Sequence, residues 1–372
     1  MASNKYYLGD LIKQRREKNP GGDLPIRGVS KDGLQPPKQI DADTSIYNVY
    51  YRNDFIFNPA RMELGSIAFN NEYDKAICSS LYEVFYVYRT DLVIPEYLAL
   101  FVKHPEFARY CNYIGNGSAR EYCRFDNISE IPIVLPSLPE QRKIVHDYQV
   151  ITDRIELLRK MNENLEEQIM AIYHQTFDAD GVCHEGTVAE LGDVVGGATP
   201  STDNPAFFCE NGIVWLSPKD LTGTGLKFIF HGETYITEEG YNSCSTKILP
   251  KGTVLLTSRA PVGTVGIAMG DMCTNQGFKS IVPKEGFWTE YIYCLLKDNK
   301  QLLEANASGT TFLEISGDTL KKLAVPVPDD KTAKVFSERC KPFFTQQMLY
   351  EQELTQLSSL ASIRVSSIAK GA

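Results

Sequence analysis

Between Pro139 and Phe177 the apolar residues Ile144, Tyr148, Ile151, Ile155, Leu158, Leu165, Ile169 and Ile172 recur in a 4-3 alternation. Asn162 is the one polar residue on that seam. The spacing predicts a long helix packed along a single stripe. Pro139-Glu140-Gln141 suits its start, since Pro is tolerated in a first turn and acidic groups favour the N-terminus. A second such segment runs from Thr332 to Ile368, with Phe336, Cys340, Phe343, Tyr350, Leu354, Leu357, Ala361 and Ile368 on the stripe. Gln347 and Arg364 share its seam, and Pro342 is expected to bend its first turns. Each helix would be about 35 residues, or about 50 Å. One apolar stripe does not stabilise a lone helix, so the two are expected to pack on each other, antiparallel. The alternative is two ordinary helices, each packed on its own domain. With centres near Leu158 and Glu351, Asn162 faces Gln347. The two amides then either satisfy each other across the seam or Asn162 turns to solvent.

The stretches ahead of the two helices are mixed. Leu81–Tyr88 and Gly252–Thr257 read as strands, Pro95–Val102 and Thr289–Leu296 as short helices. Gly196–Thr202 and Gly223–Gly225 read as loops. The two stretches also resemble each other. Tyr7-Leu8-Gly9-Asp10 can be laid on Glu190-Leu191-Gly192-Asp193, Val29–Leu34 on Leu216–Leu221, and Arg61–Ile67 on Arg259–Val265. Cys78-Ser79-Ser80 falls on Cys273-Thr274-Asn275, and Asn116–Pro136 on Ser308–Pro328. Five matches in one order, at an offset drifting between about 183 and about 198, mark a tandem pair of domains. The expected order is a domain at 1–138, a helix at 139–178, a domain at 187–330 and a helix at 331–370. The fold class is mixed α/β.

Composition narrows the function. Hydrophobic residues are 43% and charged residues 23% of the 372, as in a globular protein. No apolar run is long enough for a transmembrane helix, and the start MASNKYYLGD has no leader pattern, so a cytoplasmic chain is expected. Nine Cys with no CxxC spacing are expected to be free thiols rather than disulfides or zinc ligands. The net charge of −9 disfavours nucleic-acid binding by bulk charge but leaves room for local positive groups. The acid is uneven: residues 1–136 hold about 16 basic and about 17 acidic side chains, residues 137–186 about 5 and about 10.

The common catalytic patterns are missing. Gly196-Gly197-Ala198-Thr199 lacks the Lys of a phosphate-cradling loop, and there is no G-x-G-x-x-G, H-E-x-x-H or G-x-S-x-G. His104, His146, His174, His184 and His231 are scattered. Asn58-Pro59-Ala60 and Asp203-Asn204-Pro205-Ala206-Phe207 are similar to the N/D-P-P-Y/F site of amino-methyltransferases but lack its second Pro. The sequence describes a binder.

At this point the residues carry a resemblance. Gly196-Gly197-x-Thr199-Pro200, Trp215–Leu221, Leu249-Pro250-x-Gly252–Leu256, Ser258–Gly263 and Thr274-Asn275-Gln276-Gly277-Phe278-Lys279-Ser280, with Leu138-Pro139-Glu140-Gln141-Arg142-Lys143-Ile144 entering the first helix, resemble a type I restriction–modification DNA specificity subunit. The first repeat has only Cys78–Tyr82 in place of the Thr-Asn-Gln-Gly-Phe-Lys run. The second helix starts with Pro328-Asp329-Asp330-Lys331 where Leu-Pro-Glu-Gln would be expected. The resemblance implies two target recognition domains, each reading half of a bipartite double-stranded DNA target, with the helices as spacers. It implies two modification subunits that methylate adenine N6 with S-adenosylmethionine, an ATP-dependent restriction subunit as a further partner, and no cofactor, metal or activity in this chain. A spacer of about 50 Å spans about 15 base pairs, consistent with half-sites about one helical turn apart.

Loop side chains able to contact bases or phosphates are the candidate readers. In the second domain these are Ser217, Lys219, Arg259, Thr274, Asn275, Gln276, Lys279, Thr310 and Thr311. In the first they are Ser30, Lys31, Arg61, Ser79, Ser80, Ser118, Arg120 and Arg124. Residues shared by both repeats could instead hold turns and caps, as for Gly65 and Gly263, Asp32 and Asp220, or Arg61 and Arg259. Trp215 and Phe278 read as core. Two other functions remain: a scaffold displaying two protein-binding domains without DNA, and a hydrolase of unrecognised site.

Overall fold

A computed structural model describes residues 5–37, 39–40, 43–115, 122–259, 261–309 and 313–369. By internal contacts the chain forms two units, Met1–Glu156 with Gln356–Ala372, and Leu157–Thr355.

In the first unit, strands Ile12–Arg15, Glu83–Val87, Asp54–Phe57 and Ile67–Phe69 lie in that order, each antiparallel to the next. Phe55, Ile56 and Phe57 are all fully buried, so this strand reads as an apolar run without alternation. Phe55 stacks on Phe85 with ring centroids 4.8 Å apart. Helix Pro95–Val102 starts with Pro in its first turn and sends Tyr97, Leu98 and Phe101 into this core. Asp54 is buried and accepts two hydrogen bonds from Arg15, at 2.6 and 3.1 Å. Strand Lys5–Tyr7 pairs antiparallel with Pro132–Val134, closing the unit just before the first long helix. Gln141, fully buried near that helix's start, accepts the Ile94 N–H at 3.0 Å and donates to Leu92 O and Pro136 O.

The second unit repeats this plan. Gly192–Gly196, Lys279–Pro283, Val254–Leu256 and Val265–Ala268 follow in order, each antiparallel to the next. Its sheet carries one further edge strand, Phe228–Ile229, parallel to Val265–Ala268. Cys183–Thr187 pairs with Ala324–Pro328, as Lys5–Tyr7 does with Pro132–Val134. Helices Pro95–Val102 and Phe125–Ser129 have counterparts in Thr289–Asp298 and Gly317–Lys321.

Two of the five sequence matches misplace the register. Asp10 accepts the Tyr7 N–H at 3.0 Å, whereas Glu190 accepts the Thr187 N–H at 2.8 Å. Asp10 therefore corresponds to Glu190 and not to Asp193; the shared Leu-Gly-Asp triplet falls at different points of the motif. Val29–Leu34 lies in the hairpin Gly28–Ser30/Gly33–Gln35, while Leu216–Leu221 is a strand end followed by helix Pro218–Thr222. The Arg61 and Arg259 match holds: Gly65 (φ +70°) and Gly263 (φ +87°) both turn the chain two residues ahead of a strand. Asp126 and Asp318 both occupy the first turn of corresponding helices.

The long helices are Leu138–Phe177 and Asp330–Ala369. The second runs through Pro342 without interruption. In the second unit Asn162 meets Gln347 and Gln175 meets Arg339, so the helices are antiparallel there. In the first unit Arg364 lies 4.0 Å from Asp147, with the same sense. The buried residues of the second helix include Phe344, Glu351 and Val365, where the apolar pattern had placed Phe343, Tyr350 and Arg364.

Asn162 and Gln347 do face each other, but their amides do not pair. Gln347 Nε2 donates to the Asn162 main-chain oxygen at 3.1 Å and to Glu166 at 3.0 Å. Asn162 Nδ2 reaches Glu351 at 3.4 Å, and its Oδ1 is buried with no partner among the described residues. What takes the Gln347 oxygen is Lys227 Nζ, at 2.9 Å. That ammonium also donates to Glu166 at 3.0 Å and sits over the rings of Phe344 and Tyr293, 3.5 and 3.9 Å from their centroids. Glu166 further accepts from Tyr293 at 2.9 Å and Lys297 at 2.5 Å. Burial alone would raise the Glu166 pKa; Lys227 and Lys297 overcome it and hold the carboxyl at about 2. Burial lowers the Lys227 pKa and raises that of Glu351, whose backbone hydrogen bonds pull it the other way.

Candidate nucleic-acid interface

In the second unit several loops converge at one end of the sheet. Strand Val254–Leu256 runs into Thr257, whose hydroxyl donates to Pro261 O at 2.7 Å and accepts the Thr264 N–H at 2.9 Å. This pins the loop bearing Arg259. Ser258 N–H bonds Gly277 O at 2.8 Å, and Ile315 N–H bonds Ser258 O at 3.0 Å. The loop is thus tied to the 274–277 turn and to the segment ending at Ile315. Gly197 comes so close that an added Cβ would lie 2.2 Å from the carbonyl oxygens of Thr274 and Asn275. Only glycine permits that approach, which explains one Gly of the Gly-Gly-x-Thr run. Thr199 donates to the Gln276 side chain.

Of the residues expected to read DNA, Arg259, Asn275, Gln276 and Lys279 are brought together here. Gln276 is exposed and the others half-buried. Asn275 Oδ1 accepts the Gly277 N–H at 2.8 Å, an internal turn bond. Thr274 is buried. Its carbonyl accepts from Thr246 Oγ1 and the Ala198 N–H, each at 3.0 Å. Ser217 and Lys219 belong to the adjoining helix Pro218–Thr222. Asp220 accepts from the Ser217 N–H and Oγ at 2.7 and 2.8 Å, so it acts as a cap, while Lys219 pairs with Glu233 at 2.9 Å. Trp215 and Phe278 are buried core residues. Ala260, Thr310 and Thr311 lie outside the described residues.

Sequence reasoning missed Glu314. Its carboxylate lies 3.3 Å from Lys279 Nζ and 3.9 Å from Arg259 Nη1, holding two candidate reader cations at once. No motif contains it, and its partners are far off in sequence.

In the first unit the candidates are less concentrated. Arg61 is exposed on the turn Pro59–Leu64, which Cys123 N–H joins through Pro59 O at 3.0 Å. That bond brings Arg124 beside it. The Arg124 guanidinium is exposed, 3.4 Å from Glu83 and 5.6 Å from the Tyr122 ring centroid. Glu83, also missed from sequence, accepts the Phe125 N–H at 2.8 Å and Gln14 Nε2 at 3.1 Å. Ser30 and Lys31 occupy the tight hairpin turn, where Ser30 Oγ accepts the Asp32 N–H at 3.1 Å. Ser79 and Ser80 are half-buried in the turn after strand Lys75–Cys78, and Ser79 Oγ accepts the Leu81 N–H at 3.3 Å. Ser118 and Arg120 lie outside the described residues. Among the described residues no group of His, Cys, Asp and Glu is placed to hold a metal, and no helix is long and apolar enough to cross a membrane.

Two sheets of the same strand order, each followed by a long helix, define a tandem two-domain protein. The chain belongs to the family of the type I restriction modification DNA specificity domain, whose model matches residues 9–167 and 184–359. It is 44% identical over 143 residues to the type I restriction enzyme MjaIX specificity subunit of Methanocaldococcus jannaschii, covering 38% of this chain and 33% of that one. It is 21% identical over 397 residues to the HindI specificity subunit of Haemophilus influenzae, covering 86% of each. The chain therefore spans about a third of the first relative and most of the second. The S subunit of a type I restriction–modification system from M. genitalium shares the fold, with a TM-score of 0.61, 14% identity, and coverage of 98% of this chain and 95% of that one.

Proposed function

We propose that this chain is the DNA sequence-recognition subunit of a type I restriction–modification complex. Each unit reads one half of a bipartite double-stranded target. The helices set the unread gap and dock two adenine-N6 methyltransferase subunits, which bring S-adenosylmethionine; an ATP-dependent restriction subunit joins the same assembly. The chain itself binds and does no chemistry, and it works in the cytoplasm. The observation that carries this reading is the family's domain occurring twice, on sheets with the same four-strand order. Supporting the partner assignment, Leu157 and Met161 on one helix and Leu349 on the other stay exposed in the second unit. The test is mapping of methylated adenines in the host genome with and without this gene. A bipartite motif that loses methylation on deletion is expected. An unchanged methylome would overturn the reading in favour of a scaffold that does not touch DNA.

A further inference from the structure

The buried ionic cluster of the second unit is not used by any reading loop, yet both long helices, helix Thr289–Asp298 and the Lys227–Phe228 segment meet in it. Lys227 is 5% exposed and, among the described residues, is the one buried lysine of this unit. Its ammonium joins Glu166 on the first long helix, Gln347 on the second, and the ring of Tyr293 on helix Thr289–Asp298. Its main chain is held as firmly. Both Glu351 carboxylate oxygens accept the Lys227 N–H at 3.0 Å, and one accepts the Phe228 N–H at 2.9 Å.

Lys227 immediately precedes the edge strand Phe228–Ile229, which has no counterpart in the first unit's sheet among the described residues. Its carbonyl accepts the Ile267 N–H at 2.7 Å, on the strand that follows the Arg259 loop. Five residues before it ends helix Pro218–Thr222, which carries Ser217 and Lys219 at its start. One point of the chain therefore roots two candidate reading segments, and carboxylates from both long helices grip that point. A buried charge network is a weak source of net stability, because desolvation offsets most of the attraction. It does impose one geometry, since any shift leaves a buried charge or amide without its partner.

We infer that Lys227, Glu166, Gln347 and Glu351 form a positioning lock that fixes the pose of the second recognition unit on its helix pair, and so the gap length the protein accepts. This rests on the proposed bipartite reading. One extra base pair moves a half-site by about 3.4 Å and turns it by about a tenth of a helical turn. A recognition unit free to rock on its helices would tolerate that step, and a locked one would not.

The test is selection of duplexes from a random pool by the full chain, followed by sequencing, for wild type, Lys227→Met and Glu351→Gln. Circular dichroism and size-exclusion chromatography establish which variants fold. Should Lys227→Met fail to fold, Lys227→Met/Glu166→Gln removes charge and counter-charge together, and Glu351→Gln keeps an oxygen acceptor in place. Wild type should enrich two half-sites at one gap. The folded variants should enrich the same half-sites, with preference for the native gap over gaps one base pair longer or shorter reduced on the order of fivefold. A native gap kept as sharply as in wild type by a folded variant overturns the lock, as does a change in the bases selected. Failure of wild type itself to enrich any bipartite sequence would instead overturn the proposed function on which the lock depends.

Discussion

Glu314 stands between two cations, and that position has a measurable consequence. While it neutralises Arg259 and Lys279 in part, neither is fully available to phosphate. Glu314→Gln should raise affinity for unrelated duplex and steepen its salt dependence by about one phosphate contact, with less gain on the true target. Binding at several salt concentrations checks this. The seam residues make a second case. Because Gln347 bonds the main chain of Asn162, replacing the Asn162 side chain does not orphan it. Asn162→Leu removes a buried unpaired oxygen and a long contact, so stability should change by less than about 0.5 kcal/mol. Gln347→Leu strips partners from Lys227 and Glu166 and should cost about 1–3 kcal/mol. The double variant should equal the sum, which urea unfolding can establish; coupling well above about 0.5 kcal/mol would show that the amides do meet. The third case is pH. The Glu166 pKa is held at about 2 in the fold, below its unfolded value, so its contribution is present at neutral pH and fades as pH falls from about 5 towards 2. Glu166→Gln should lose stability at pH 7 and differ less from wild type at each lower pH. A constant difference across that range would refute the assignment. Asn162 and Gln347 were legible as facing residues, but the charges around them were not, since an apolar pattern cannot flag a Glu or Lys whose partners lie on other elements.

At the scale of elements, the sequence read well where a period was long or a Pro marked a start. Both helices were predicted to within a residue or two, as was Pro95–Val102. The short strands were harder. Phe228–Ile229 is two residues long and takes its place from the Glu351 carboxylate, which no local pattern announces. Within the second seam, a one-residue drift to Phe344, Glu351 and Val365 follows from the 3.6-residue period of a helix that packs on a domain as well as on its partner. Pro342 is exposed inside this helix. It lacks an N–H and crowds the preceding turn, so Pro342→Ala should stabilise the chain by about 1–3 kcal/mol, seen as a higher midpoint in thermal unfolding. No gain would mean that the local backbone already accommodates the ring at no cost.

At the scale of the whole molecule, the tandem design predicts that one recognition unit can be exchanged without disturbing the other's reading. The structure also says where to cut. An exchange of residues 187–330, the limits suggested by the sequence pattern, would separate Cys183–Thr187 from Ala324–Pro328, its antiparallel partner. Exchange of residues 183–328 carries both strands and leaves the two long helices intact. The incoming domain must then present a Lys where Lys227 stands, because Glu166 remains on the recipient helix with the charge that Lys227 balances; Glu351 needs only the main-chain N–H groups at that point. An incoming domain with Lys there should fold and change one half of the methylated motif, leaving the other half and the gap as they were. One with an apolar residue there leaves Glu166 without that cation and the Gln347 oxygen without its donor, and should give a poorly folded or gap-relaxed protein. Substituting Lys into that second hybrid at the position of Lys227 should restore both folding and gap. Methylome mapping of the three hybrids decides the matter. If both half-sites change together in the first hybrid, the units do not read independently, and the division of labour inferred from the repeat is wrong.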